Sequence, residues 1–150
     1  MTEKILVTYS SRRGATAEIA EFIAEILREN ITVDIKPVDD VTNLEGYDAV
    51  VLGSAVYIGQ WMKDAAHFLE SNVEELAARN TWLFSSGPTG EGDPVELMKG
   101  FLVPESLKPE VERIAPEDIA FFHGALDMKK LNFAEKMMIR GVKAPVGDFR

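Results

Sequence analysis

Apolar residues along this chain fall into two rhythms that take turns. KILVTYSS opens with a short, mostly apolar run, Ile5 to Tyr9, that stops in small polar residues, as a strand buried on both sheet faces does. From Ala15 to Glu29 the spacing changes: Ile19, Phe22, Ile23, Ile26 and Leu27 recur at helical intervals, with Glu18, Glu21 and Glu25 on the other side, which predicts an amphipathic helix. ITVDIKPV then alternates Ile31, Val33 and Ile35 with polar residues and carries Pro37 near its end, the pattern of an edge strand. DAVVLGSA repeats the first run and ends in Gly53, Ser54 and Ala55. A helix comes next from Met62 to Ala78, interrupted around Ser71 and Asn72, and Trp82 to Ser85 is a further buried strand. Pro94 to Pro116 reads as short helices interrupted by prolines, and IAFFHGAL, Ile119 to Leu126, as the last strand. Five strands alternating with helices predict an α/β fold: a parallel sheet covered on both faces, with right-handed crossovers.

Composition narrows the chemistry. At 150 residues and 46% hydrophobic content, the chain can bury one sizeable core, so residues 1–150 are expected to form a single domain. No apolar run reaches the roughly 20 residues of a membrane span, and MTEKILVTYSS has neither a basic lead nor a cleavage site, so a cytoplasmic location is expected. The chain has no cysteine, which excludes disulfides, iron–sulfur ligation and thiol catalysis and leaves any redox chemistry to a borrowed cofactor. With only His67 and His123, no metal site and no catalytic histidine are expected. The net charge of −9 argues against nucleic-acid binding.

Ligands of an open parallel sheet sit beyond the carboxyl ends of the strands, where strand order reverses. Three loops belong there: SSRRGAT, SAVYIGQW and SSGPTGEGDP. The first places Ser10, Ser11, Gly14 and Thr16 immediately before a helix, and Arg12 and Arg13 add positive charge. Unpaired N–H groups and the positive end of the helix dipole suit a phosphate there, although serine or threonine before a helix also serves as a plain N-cap. The loop lacks the G-x-x-x-x-G-K-[ST] and G-x-G-x-x-G patterns. It also lacks the acidic cluster of a receiver domain and the cysteine of a small tyrosine phosphatase. FMN is what remains.

YSSRRGATAEIAEFIA resembles the phosphate-binding signature of flavodoxins: Tyr9, Ser11, Gly14 and Thr16 fall on the pattern, while Arg13 stands in place of the usual threonine and Ala15 in place of asparagine. It is more similar to a flavodoxin-domain subgroup that includes the menaquinone-dependent protoporphyrinogen oxidases, with their Ser-[Ser/Thr]-Arg-x-Gly-x-Thr loop. YDAVVLGSAVYIGQW, HGAL and a helical insertion after it extend the likeness. The resemblance implies a flavodoxin-like, doubly wound five-stranded parallel sheet of order 2-1-3-4-5. It implies that Ser10, Ser11, Arg12, Arg13, Gly14, Ala15 and Thr16 hold the FMN phosphate. The isoalloxazine would then be flanked by Ser54, Ala55, Val56, Tyr57, Ile58 and Gly59 on one side and by Ser85, Ser86, Gly87, Pro88, Thr89 and Gly90 on the other. Tyr57 and Trp61 are candidates to cover one ring face, with core or helix-start packing as the alternative.

Three functions stay open on this reading: a carrier shuttling low-potential electrons between redox-partner proteins, a quinone-linked protoporphyrinogen oxidase, and a non-redox phospho-ligand module. No side chain stands out as a catalytic acid or base. Glu91 and Asp93, if near the ring, would lower its potential. Residues 1–126 carry a net −12 and residues 127–150 a net +3. MKKLNFAEKMMIRGVK, residues 128–143, combines Leu131, Met137, Met138, Ile139 and Val142 with five cations. It would suit a quinone or membrane surface, but an ordinary half-buried helix or dimer contact is the preferred reading. GDFR ends where flavodoxins have a closing helix; either the tail takes that role or an uncovered sheet face favours a homodimer.

Overall fold

A computed structural model describes residues 4–10, 15–29, 31–57, 60–86 and 107–122. The apolar run at the start forms β1 (Lys4–Ser10) and the amphipathic segment forms α1 (Ala15–Arg28). β2 (Thr32–Pro37) leads through a 3-10 turn (Val38–Asp40) to β3 (Ala49–Tyr57). Then come β4 (Gln60–Trp61), α2 (Lys63–Ser71), α3 (Val73–Ala77), β5 (Asn80–Ser86), α4 (Lys108–Ile114) and β6 (Asp118–Phe122).

The sheet runs β2-β1-β3-β5-β6, with every pair on that path parallel. Counting the five long strands in chain order, this is the expected 2-1-3-4-5. The sequence pattern did not announce β4, which folds back antiparallel on the end of β3 through Val56↔Trp61 and Tyr57↔Gln60. Two residues are too short for a periodic signal. Pro37 is the last residue of β2, at the sheet edge, where its missing N–H breaks no internal ladder.

The interruption expected near Ser71 and Asn72 is the junction of α2 and α3. Asn72 Nδ2 donates to the carbonyl of Phe68 at 2.8 Å, and its own N–H reaches the same oxygen at 3.1 Å. The side-chain amide thus competes for a carbonyl the helix would otherwise use. Of the proline-interrupted stretch 94–116, residues 107–116 carry α4, while residues 94–106 lie outside the described residues. The last strand is seen to Phe122; residues 123–126 of its expected span lie outside the described residues too.

Alternation along each strand splits the core in two. Ile5, Val7, Val51, Trp82, Phe84 and Phe122 lie on the face that α1 covers with Ile19, Ile23 and Leu27. Leu6, Val50, Leu52, Leu83 and Phe121 lie on the opposite face, under Phe68 and Leu69 of α2, Leu76 of α3 and Val111 and Ile114 of α4. Both sides being dry explains why the central strands read as continuous apolar runs. The carboxyl ends of β1, β3 and β5 therefore open side by side on one edge.

Candidate functional site

Register places three serines in one row across that edge. Ser10 of β1 pairs with Ser54 of β3, and Ser54 pairs with Ser85 of β5; Ala55 pairs with Ser86 one step further on. Because register partners share a sheet face, all three hydroxyls project toward the side carrying α2, and all three are buried.

Each hydroxyl meets the junction between β4 and α2. Ser10 Oγ donates to Asp64 Oδ1 at 2.5 Å. Ser54 Oγ donates to the carbonyl of Ala55 at 2.8 Å and accepts the N–H of Met62 at 3.0 Å. Ser85 Oγ accepts the indole N–H of Trp61 at 2.8 Å. Asp64 is itself fixed in the first turn of α2, where its Oδ1 also accepts the N–H of Ala65 at 2.9 Å. A hydroxyl has a single proton to give. Those of Ser10 and Ser54 are committed within the protein, so in this arrangement neither side chain has a donor left for an anion.

Donors for an anion come instead from the start of α1. This 14-residue helix begins at Ala15, five positions after the end of β1, and its first-turn N–H groups lack intrahelical acceptors. Thr16 lies buried in that turn. The positive end of the helix dipole thus stands beside the β1 edge.

Of the sequence-predicted residues, the structure brings Ser10, Ala15, Thr16, Ser54, Ala55, Val56, Ser85, Ser86 and the backbone of Tyr57 to this one edge. Ser11, Arg12, Arg13, Gly14, Ile58, Gly59, Gly87, Pro88, Thr89 and Gly90 lie outside the described residues, as do Glu91, Asp93 and the basic segment 128–143. Trp61 takes the packing reading: it is 5% exposed, belongs to the core under α2, and turns its indole N–H to Ser85. Asp64 escaped sequence reasoning, because a lone acid in a first helical turn reads as a favourable dipole partner and nothing more. Its only signal was the polar Ser10 that it meets, 54 positions away.

Among the described residues, no helix is long and apolar enough to cross a membrane, and no cluster of acids and histidines is fit to hold a metal ion. The edge offers a helix N-terminus whose first-turn N–H groups are donors that suit the phosphate of a flavin cofactor.

The chain is 24% identical over 150 residues to the protoporphyrinogen IX dehydrogenase [quinone] of Escherichia coli strain K12, covering 91% of this chain and 77% of that one. In fold it is similar to oxidised flavodoxin 1 of Bacillus cereus, with a TM-score of 0.70 at 18% identity over 92% of this chain and 99% of that one. It is also similar to rubredoxin oxygen:oxidoreductase of Desulfovibrio gigas, with a TM-score of 0.69 at 14% identity over 93% of this chain, but it spans only 35% of that longer protein. The family described as flavodoxin domain matches residues 6–149, nearly the whole length. With sheet order, edge chemistry and this match in agreement, the chain belongs to the flavodoxin-domain family.

Proposed function

We propose that this protein binds FMN at the carboxyl edge of β1, β3 and β5 and carries low-potential electrons between redox-partner proteins, the chain 1–150 acting as one FMN-binding domain. The observation that carries the reading is the register row Ser10, Ser54 and Ser85, an edge of small residues that ends beside the N-terminus of α1. Family membership supports a flavin as the ligand.

In this reading the phosphate sits against the backbone N–H groups of residues 11–16, with Arg12 and Arg13 supplying charge and Thr16 closing the turn beneath. Residues 54–59 and 85–90 flank the isoalloxazine. The bound flavin supplies the redox chemistry, accepting and returning electrons. The chain's share is to orient the ring, to hold water away from it with the strand-end loops, and to set its potential through backbone groups of SAVYIG and SSGPTG.

The E. coli relative favours a second reading, quinone-linked oxidation of protoporphyrinogen. The basic segment 128–143 would then serve at the quinone or membrane surface. Purified protein titrated with FMN and then with dithionite separates the two. A carrier binds FMN tightly and is reduced in resolved one-electron steps; an oxidase binds FMN, is reduced in a single two-electron step, and turns over protoporphyrinogen with a quinone. A protein that binds no flavin refutes both and leaves a non-redox phospho-ligand module.

A further inference from the structure

We infer that Asp64 and Trp61 are positioning residues that clasp the two ends of the cofactor edge, Asp64 setting the phosphate end through Ser10 and Trp61 the ring end through Ser85. The inference rests on the FMN reading above and goes beyond it, because Asp64 lies outside the three ligand loops and Trp61, the last residue of the second, is packed in the core and not set against the ligand.

The two ends are held by different chemistry. Ser10 is the last residue of β1, so the direction in which it leaves the sheet decides where the backbone of residues 11–14 begins. Its hydroxyl donates at 2.5 Å to a carboxylate that α2 orients through the Ala65 N–H. A hydrogen bond to a carboxylate is short and strong compared with a neutral one, and Ser10 is only 5% exposed, so water competes poorly for it. At the other end, Trp61 Nε1 holds Ser85, one residue before the end of β5, within a pair that is nearly solvent-free. Ser54 and the Met62 N–H fasten the middle. Three neighbouring strands are thus tied to one five-residue stretch, 61–65, lying on the far side of the sheet from α1.

A direct-ligand role for Ser10 makes a different forecast from a clasp. If Ser10 gave its proton to the phosphate, losing Asp64 would free that proton and remove a negative charge, and FMN binding would be unharmed or improved. If the pair is a clasp, either loss has the same effect and losing both adds nothing, the signature of two residues acting as one unit.

The test is a double-mutant cycle on the full chain, with dissociation constants for FMN and for riboflavin, which lacks the phosphate. Ser10→Ala, Asp64→Ala and the double variant are each expected to weaken FMN about fivefold, in the range of contact-pair couplings, while riboflavin changes less than about twofold. Trp61→Phe, which keeps the aromatic ring and loses the donor, is expected to weaken both ligands alike and leave their ratio unchanged. Loss in Ser10→Ala without loss in Asp64→Ala would make Ser10 a ligand and overturn the clasp. Equal loss of both flavins in the Asp64 variant, or no loss at all, would also overturn it while leaving the FMN reading intact. Wild-type protein that binds neither flavin overturns that reading and the clasp with it. If Asp64→Ala does not fold, Ser10→Ala against Asp64→Asn decides, since Asn retains an acceptor and should rescue FMN affinity.

Discussion

The ring of Phe84 occupies the space that a side chain at Gly53 would need: a Cβ built there would lie 2.1 Å from Cζ and 2.3 Å from Cε2. The two residues are register partners on β3 and β5, and Phe84 in turn packs against Phe122 of β6, ring centres 5.6 Å apart. Glycine at the end of this apolar run therefore makes room for an aromatic bridge across three strands, just below the carboxyl edge of the sheet. Gly53→Ala forces a buried ring to move in a packed core, at a cost of about 1–3 kcal/mol. Urea denaturation should show a lower midpoint with an unchanged slope. The same substitution in a Phe84→Ala background should cost less, and equal costs in both backgrounds would refute the steric account.

Thr8 supplies a prediction of opposite sign. It lies fully buried in the middle of β1, and its Oγ1 has no hydrogen-bond partner among the described residues. Burying an unpartnered hydroxyl opposes folding, so Thr8→Val should raise stability by roughly 1 kcal/mol. A destabilised Thr8→Val variant in the same denaturation assay would mean that the hydroxyl is satisfied after all.

Arg79 ties the opposite end of the molecule together. Its guanidinium donates to the carbonyls of Tyr47 and Leu44, both at 2.9 Å, and to the Glu75 carbonyl at 2.8 Å. Three carbonyls in fork geometry suit a planar five-donor group and not a point charge. Arg79→Lys should therefore cost nearly as much as Arg79→Ala, about 2 kcal/mol. If Lys restored most of the stability, charge and not geometry would be responsible.

Tyr47 and Asp34 make stability depend on pH at both extremes. Tyr47 donates to Asp34 Oδ2 at 2.6 Å, and Lys4 Nζ stands 3.5 Å from the same oxygen. Burial first, and then the Asp34 hydrogen bond, push the phenol from 10.0 up to about 12. The unfolded chain releases this proton near pH 10 while the folded one keeps it, so its contribution is complete below pH 10 and drains away between pH 10 and 12. The Tyr47 hydrogen bond, and after it the Lys4 charge, hold the Asp34 carboxyl below 3.8 against an opposing push from burial. That contribution is present above pH 3.8 and is lost as pH falls below it. Tyr47→Phe should flatten both limbs of a plot of urea midpoint against pH. An unchanged alkaline limb would remove Tyr47 from the account.

Legibility in the sequence depended on where each residue's neighbours lie along the chain. The runs around Leu6, Leu52 and Leu83 spelled out buried parallel strands because each element is apolar along its own length. Asn72 marked the break between α2 and α3 for the same local reason. β4 was not legible, since Gln60 and Trp61 are strand only by virtue of Val56 and Tyr57 opposite them. Trp61 itself had two readings until its partner Ser85, 24 positions on, was seen. Ser10 reads as a phosphate-loop hydroxyl because Asp64, which engages it, is 54 positions away in sequence. Local rhythm shows elements; only register shows which polar groups are already spent.

Whether the edge of β1, β3 and β5 holds FMN is decided by titrating purified protein with FMN and following visible absorbance and flavin fluorescence. Saturable binding at one FMN per chain with a shifted flavin spectrum is expected, and riboflavin should bind more weakly because it lacks the phosphate that the proposed function assigns to the N-terminus of α1. A spectrum indistinguishable from free FMN at every protein concentration would contradict the assignment.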